Sequence, residues 1–220
     1  MTASLIVSSY VTRTAQNPCS YSVRLTMAVP AQQVFLVRHG ETEWSLNGRH
    51  TGTTDIPLTE NGRQVARLLL PILAKESFAL ALTSPLQRAR DTCRLAGFGD
   101  VAHIEPDLVE WNYGRYEGID ARPDPCDSPG LAALSRWRPG RRTAREIGAR
   151  VDRVIEKARA VKGHVILFAH GHVLRVFAAR WLGLPPSEGQ RFLLDTATMN
   201  ILSYYRGIPA IKRWNAPVQF

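Results

Sequence analysis

Cysteine is scarce in this chain: Cys19, Cys93 and Cys126 are the only three in 220 residues, and no Cys-x-x-Cys pair occurs. That excludes a disulfide framework or a zinc site and suits a reducing cytoplasm. No apolar run approaches the roughly 20 residues that cross a bilayer, so the chain reads as soluble and without a membrane partner. Internal repeats and linker-like breaks are missing too, which leaves one compact domain as the expectation. The first 26 residues have no acidic side chain and are rich in Ser and Thr, as transit peptides are, yet they lack an apolar block with a cleavage site. Met27 opens MAVPAQQVFLVRHG. Residues 1–26 are therefore read as an upstream extension or disordered tail, ahead of a single domain over 27–220.

Acids are outnumbered, 19 against 28 basic residues, for a net charge of +9. The excess is not laid out for nucleic acid. Arg13 and Arg24 lie in the extension, and Arg122, Arg136, Arg138, Arg141, Arg142 and Arg145 crowd one stretch against Asp120, Asp124 and Asp127. The remaining arginines are scattered, with no stripe of stacking aromatics between them. An anionic small molecule accounts for that surface equally well.

What the chain does have is a strand end that carries chemistry. Val34, Phe35, Leu36 and Val37 read as a buried parallel strand, and ligands of open α/β sheets bind beyond the carboxyl ends of such strands. Arg38, His39 and Gly40 follow at once, inside FLVRHGETEW. A helix is expected from Thr59, with Val65, Leu68, Leu69 and Ile72 inward and Pro71 kinking or ending it. Residues 79–83 read as a strand, then Ser84 as a helix N-cap and Pro85 as its first residue, with Arg88 in the first turn of a helix reaching Gly97. A strand at 101–105 precedes Glu110 in an irregular aromatic stretch. A helix over 144–161 turns Val151, Val154, Ile155 and Ala158 inward and stops at Gly163. The strand at 164–169 then ends in His170-Gly171-His172 and leads into another helix, repeating the opening layout. Strands near 191–194, 197–204 and 210–214 complete a mixed sheet, and the alternation gives an α/β sandwich.

Four segments, FLVRHGETEW, LTSPLQRARDT, LVEWNYGRYEG and ILFAHGH, resemble the histidine phosphatase superfamily in its phosphoglycerate-mutase-like branch, and their order and spacing make the signal strong. The match covers about 34–117 and 146–214. It is nearest to the subgroup with sedoheptulose-bisphosphatase-like and bacterial acid phosphatase-like members. The resemblance implies a three-layer α/β/α sandwich with a mostly parallel mixed sheet, and a metal-independent phosphomonoesterase of cytoplasmic sugar phosphates or broader acid phosphatase type.

The residue types suit that chemistry. A neutral imidazole can attack phosphorus, so His39 is the expected nucleophile, forming a phosphohistidine. Arg38 and Arg88 can each hold two phosphate oxygens. By resemblance His170, if protonated, adds a donor, and Glu110 is the carboxyl that protonates the leaving group and later activates water, given a pKa raised by partial burial. Ser45, Thr51, Gly52 and Gly171 are secondary phosphate-binding candidates. Glu117 is read as structural, Glu41 as support for an arginine, and His172 as opening a helix without touching substrate. No metal and no cofactor are implied, because the histidines lack metal-ligand spacing. Phosphoglycerate-mutase-type transfer and a catalytically impaired phosphate-binding relative are the alternatives, and self-association stays open.

Between Gly118 and Gly148 the resemblance breaks down. Members of the subgroup tend to carry Pro-Gly-Trp, Arg-Asp-Gly and Gly-Gly-Glu here, whereas this chain has IDARPDPCDSPGLAALSRWRPGRRTAREI. Back-translated with GC-rich codons and advanced one nucleotide, the stretch yields those patterns in order. The expectation is a pair of compensating frameshifts, in the gene or its sequencing, replacing about 120–144; a divergent surface loop is the alternative. An uninterrupted reading frame whose codons cannot give that text would exclude the shift.

Overall fold

A computed structural model describes residues 7–13, 21–27, 32–119 and 144–218. The atypical stretch at 120–143, Cys19 and Cys126 lie outside them. The chain divides into two units, Met1–Ala31 and Gln32–Phe220. In the first, β1 (Val7–Arg13) pairs antiparallel with β2 (Tyr21–Met27), both within the expected N-terminal extension or its boundary. Their Val, Thr and Tyr content favours extended backbone.

The second unit is built on six strands: β3 (Val34–Arg38), β4 (Phe78–Thr83), β5 (His103–Ile104), β6 (His164–Ala169), β7 (Met199–Tyr205) and β8 (Ile208–Ala216), in the order β5-β4-β6-β3-β7-β8. The first four are parallel, and β7 and β8 join antiparallel. Among the described residues the α-helices that flank them are α1 (Glu43–Leu46), α2 (Glu60–Leu68), α3 (Leu70–Leu73), α4 (Gln87–Cys93), α5 (Ala144–Ala160) and α6 (Gly171–Trp181).

The period-2 alternation of the central strands produces the layers. Val34, Leu36, Val165 and Leu167 pack with Val151, Val154, Val173 and Phe177 of α5 and α6. Phe35, Val37, Ile166 and Phe168 point the other way, onto Leu69, Leu73, Cys93 and Ala96. Two apolar cores on opposite faces of one sheet make this a three-layer α/β/α sandwich.

Several local expectations shift. Thr59 caps α2 by accepting from the Gly62 amide, but Leu68 faces solvent and the inward positions are Ala66, Leu69 and Leu73. Pro71 is the second residue of the short α3, in the first turn, where its missing N–H costs nothing. Ser84 does not cap α4; the carboxylate of Asp55 does, accepting from the Gln87 amide at 2.9 Å. The strand at 101–105 shrinks to two residues, and no strand forms at 191–194, where Pro186–Arg191 makes a 3-10 turn. The backbone at 193–194 is used by side chains instead of a ladder, the Leu193 carbonyl accepting from Trp214 Nε1 and that of Leu194 from Arg38.

Candidate active site

Register makes the site. Arg38 pairs with Ala169 across β3 and β6, and Thr83 pairs with Phe168 across β4 and β6, so three strands end level. The next residues, His39, His170 and Ser84, therefore meet at one sheet edge although they are far apart in sequence. The His39 amide donates to the Ala169 carbonyl at 2.9 Å, as the Ser84 amide does to Phe168.

His39 is 3% exposed, and its Nδ1 lies 2.7 Å from the Gly40 carbonyl oxygen. A carbonyl only accepts, so Nδ1 carries the proton and the lone pair is on Nε2. Burial, then Arg88 and Arg38, hold this imidazole well below its ordinary range. His39 is thus neutral, with its lone pair at Nε2. The His170 ring centre lies 5.2 Å away, and Ser84 Oγ meets His170 Nε2 at 2.7 Å. Burial, then Arg88, His39 and Arg38, also keep His170 neutral, so the protonated state expected of it is not that of the unliganded cleft.

Arg88 is fully buried and anchored by backbone: Nη2 donates to Gly52 O at 2.7 Å and Nη1 to Thr54 O at 3.0 Å. Asp55 stands 4.0 Å from Nη1. Arg38 Nη1 donates to the Leu194 carbonyl. Arg38 Nε, Arg88 Nε and His170 Nδ1 are buried without a partner among the described residues. An oxyanion would satisfy that unmet bonding capacity, which otherwise costs about 1–3 kcal/mol per group.

Glu110, 4% exposed, accepts at Oε1 from the amides of Trp111 (2.9 Å) and Val173 (3.1 Å), and at Oε2 from that of His172 (2.9 Å). It thereby sits at the N-terminus of α6, against the first backbone amides of that helix. Arg38, His39 and Glu110 line a cleft of about 290 Å³ together with Ser45, Thr51, Gly171, His172, Tyr113 and Arg175. A larger cavity of about 450 Å³, lined by Leu70, Phe78 and Phe98 among others, holds none of these residues.

The secondary candidates have other duties in this structure. Ser45 Oγ donates to Thr42 O and accepts from Thr42 N, closing a capping box on α1; its proton is committed there. Thr51 Oγ1 donates to Arg49 O at 3.3 Å. Gly52 contributes its carbonyl to Arg88 rather than an amide to a ligand, and it does not line the cleft. Gly171 lines it, as the first residue of α6. Glu41 accepts from Thr59 Oγ1 at 2.6 Å and Asn61 Nδ2 at 3.2 Å, and among the described residues it meets no arginine.

Sequence reasoning missed Ser84, Asp55, Tyr113 and Arg175. Ser84 was legible only as a cap and Asp55 not at all, because their partners, His170 and Gln87, are distant in sequence. Arg175 sits one α6 turn after Gly171, spacing that faces it the same way. His172, expected to open a helix without touching substrate, is the second residue of α6 and also lines the cleft.

A neutral, buried histidine beside two arginines at the strand ends of an α/β sandwich is chemically suited to a phosphate group. The chain belongs to the histidine phosphatase superfamily, branch 1, which it matches over residues 34–217. It is 33% identical over 186 residues to an acid phosphatase of Mycobacterium tuberculosis, covering 83% of this chain and 91% of that one. It is 35% identical over 182 residues to the sedoheptulose 1,7-bisphosphatase of Saccharomyces cerevisiae, covering 68% and 67%. A solved structure of a Mycobacterium tuberculosis open reading frame product superimposes with a TM-score of 0.79 at 30% identity, over 86% of this chain and 99% of that one.

Proposed function

We propose that the cleft hydrolyses phosphate monoesters of small cytoplasmic metabolites through a phosphorylated His39, without a metal ion. The observation that carries this reading is the hydrogen bond between His39 Nδ1 and Gly40 O, which leaves Nε2 as the nucleophile. In the first step Nε2 attacks phosphorus, the bond to the ester oxygen breaks, and Glu110 protonates the leaving alkoxide. In the second, Glu110 takes a proton from water, which attacks phosphorus and releases His39 and inorganic phosphate.

Arg38 and Arg88 hold the equatorial oxygens, where charge gathers in the transition state. His170 follows by charge balance. It is neutral beside two guanidinium groups, and a bound dianion offsets them and draws a proton onto it. Arg49 and Arg175 along the same cleft favour an anionic ester over a neutral one. Relatives named as acid phosphatase and sugar bisphosphatase support a small phosphorylated substrate.

The test is an assay of native protein and His39→Ala against a panel of sugar phosphates and one aryl phosphate, with chelator present. Native protein is expected to release phosphate, and the variant to lose at least about a thousandfold in kcat. Activity lost to the chelator, or kept by the variant, overturns the reading. Transfer of label to a second hydroxyl instead of water would assign the cleft to a mutase.

A further inference from the structure

Tyr113 and His172 form a pair that the phosphate chemistry above does not use. Tyr113 is 3% exposed, and its Oη lies 2.6 Å from His172 Nδ1. Burial and then Glu110 push this phenol well above its ordinary range, so it keeps its proton around neutral pH. A buried hydroxyl needs an acceptor, and among the described residues Oη has one partner, His172 Nδ1.

The histidine is itself neutral, brought down to about 4 chiefly by burial. A neutral imidazole has one N–H. With Nδ1 accepting from Tyr113, that N–H is at Nε2. Glu110 Oε2 does not alter this, because it stands 4.0 Å from Nδ1, beyond hydrogen-bond reach. His50 packs on the Tyr113 ring at 4.6 Å and 33°, and His172 meets it edge-on at 5.7 Å and 79°, so the phenol is held from two sides. Nε2 has no partner among the described residues, while His172 lines the cleft and its side chain is 19% exposed.

We propose that His172, its tautomer set by Tyr113, donates from Nε2 to an oxygen of the leaving alcohol and so selects phosphate esters of polyhydroxylated alcohols over plain aryl esters. The proposal rests on the phosphatase reading above. A neutral donor does not compete with Arg38 and Arg88 for the phosphate. An apolar leaving group would cover the N–H without pairing it, whereas a hydroxyl satisfies it. Specificity then depends on a side chain fixed by a tyrosine on a different segment.

Two measurements test this. Imidazole 15N spectra of the native protein should show His172 protonated at Nε2 and not at Nδ1; the opposite tautomer overturns the proposal. In kinetics, the ratio of kcat/KM for ribose 5-phosphate to that for phenyl phosphate is followed. His172→Asn keeps an acceptor for Tyr113 but has no donor at the Nε2 position, and it should lower the ratio about tenfold, mainly through KM for the sugar phosphate. His172→Gln, whose amide reaches that position, should restore most of it. A ratio within about twofold of native in His172→Asn overturns the proposal. If that variant fails to melt cooperatively, Tyr113→Phe is judged by the same criterion. If native protein hydrolyses neither ester, the phosphatase reading is what falls. The donor is then judged by adding ribose 5-phosphate to labelled native protein: a shift of the Nε2 resonance supports it, and no shift overturns it.

Discussion

Gly62, in the first turn of α2, lies directly against the backbone of Glu41, two residues past His39: a Cβ on Gly62 would come 2.2 Å from the Glu41 carbonyl oxygen. The approach is mutual, since a Cβ on Gly40 would fall 2.6 Å from Gly62 O. Both obstacles are backbone, which cannot rotate aside as a side chain can.

Gly62→Ala is therefore expected to push α2 off the His39 loop. Urea unfolding should show a loss of about 2–4 kcal/mol, within the range for forced overpacking and backbone strain. kcat should fall with it, because the Gly40 carbonyl that orients His39 moves as well. An alanine variant with native stability and rate would show that the contact relaxes freely.

Glu117 reaches the site through a loop. Its carboxylate accepts from the amides of Thr53 and Thr54, both at 2.8 Å, and from both their hydroxyls. Burial would raise its pKa, but these bonds, Thr54's first, outweigh it and bring the value below the ordinary one. The neighbouring carbonyls of Gly52 and Thr54 hold Arg88. Glu117→Ala should raise KM about tenfold with a smaller effect on kcat, as expected when a binding arginine loses its support. Steady-state kinetics checks this, and equal loss in both parameters would count against it.

Stability should fall below neutral pH. His39, His170 and His172 are all held below their unfolded value of 6.5, the last at about 4. Below pH 6.5 the unfolded chain takes up protons that the folded one refuses, so stability declines as pH falls and is flat above. Each group adds a slope of up to about 1.4 kcal/mol per pH unit. Urea unfolding between pH 7.5 and pH 5 should show this, and His172→Gln should have a slope shallower by up to one proton.

Binding of phosphate or vanadate should be accompanied by proton uptake at pH 7. The ligand's negative charge offsets Arg38 and Arg88, the charges that, after burial, keep the imidazoles neutral. Titration calorimetry in buffers of different ionisation enthalpy measures the number directly. A heat independent of buffer would mean that His170 stays neutral in the complex.

Much of this site could be read from the chain because its main residues directly follow buried strands. Val34–Val37 and Val165–Ala169 are apolar enough to fix both strands, and strand ends of an open sheet face one way, so Arg38, His39 and His170 could be placed together. Arg88 and Glu110 needed the resemblance, because a first-turn arginine and a loop carboxylate have no period that aims them. The partners stayed hidden. Ser84 looked like a cap, and nothing local says that Asp55 takes that place from a loop 32 residues upstream. Leu68 was misassigned because α2 turns an alanine inward, and apolar periodicity counts Leu above Ala. The aryl–imidazole pair of Tyr113 and His172, 59 residues apart, leaves no local trace at all.

The alignment of β3 with β6, and the hold of Ala197 N–H on the carbonyls of Arg38 and His39 at 3.1 Å, also bear on synthesis. A chain emerging from the ribosome exposes His39 first, and β6 and the Ala197 turn are made more than a hundred residues later. Folding here waits on contacts distant in sequence, which are slow to form. A nascent fragment stopped before His170 should be catalytically silent, however well its first half is made.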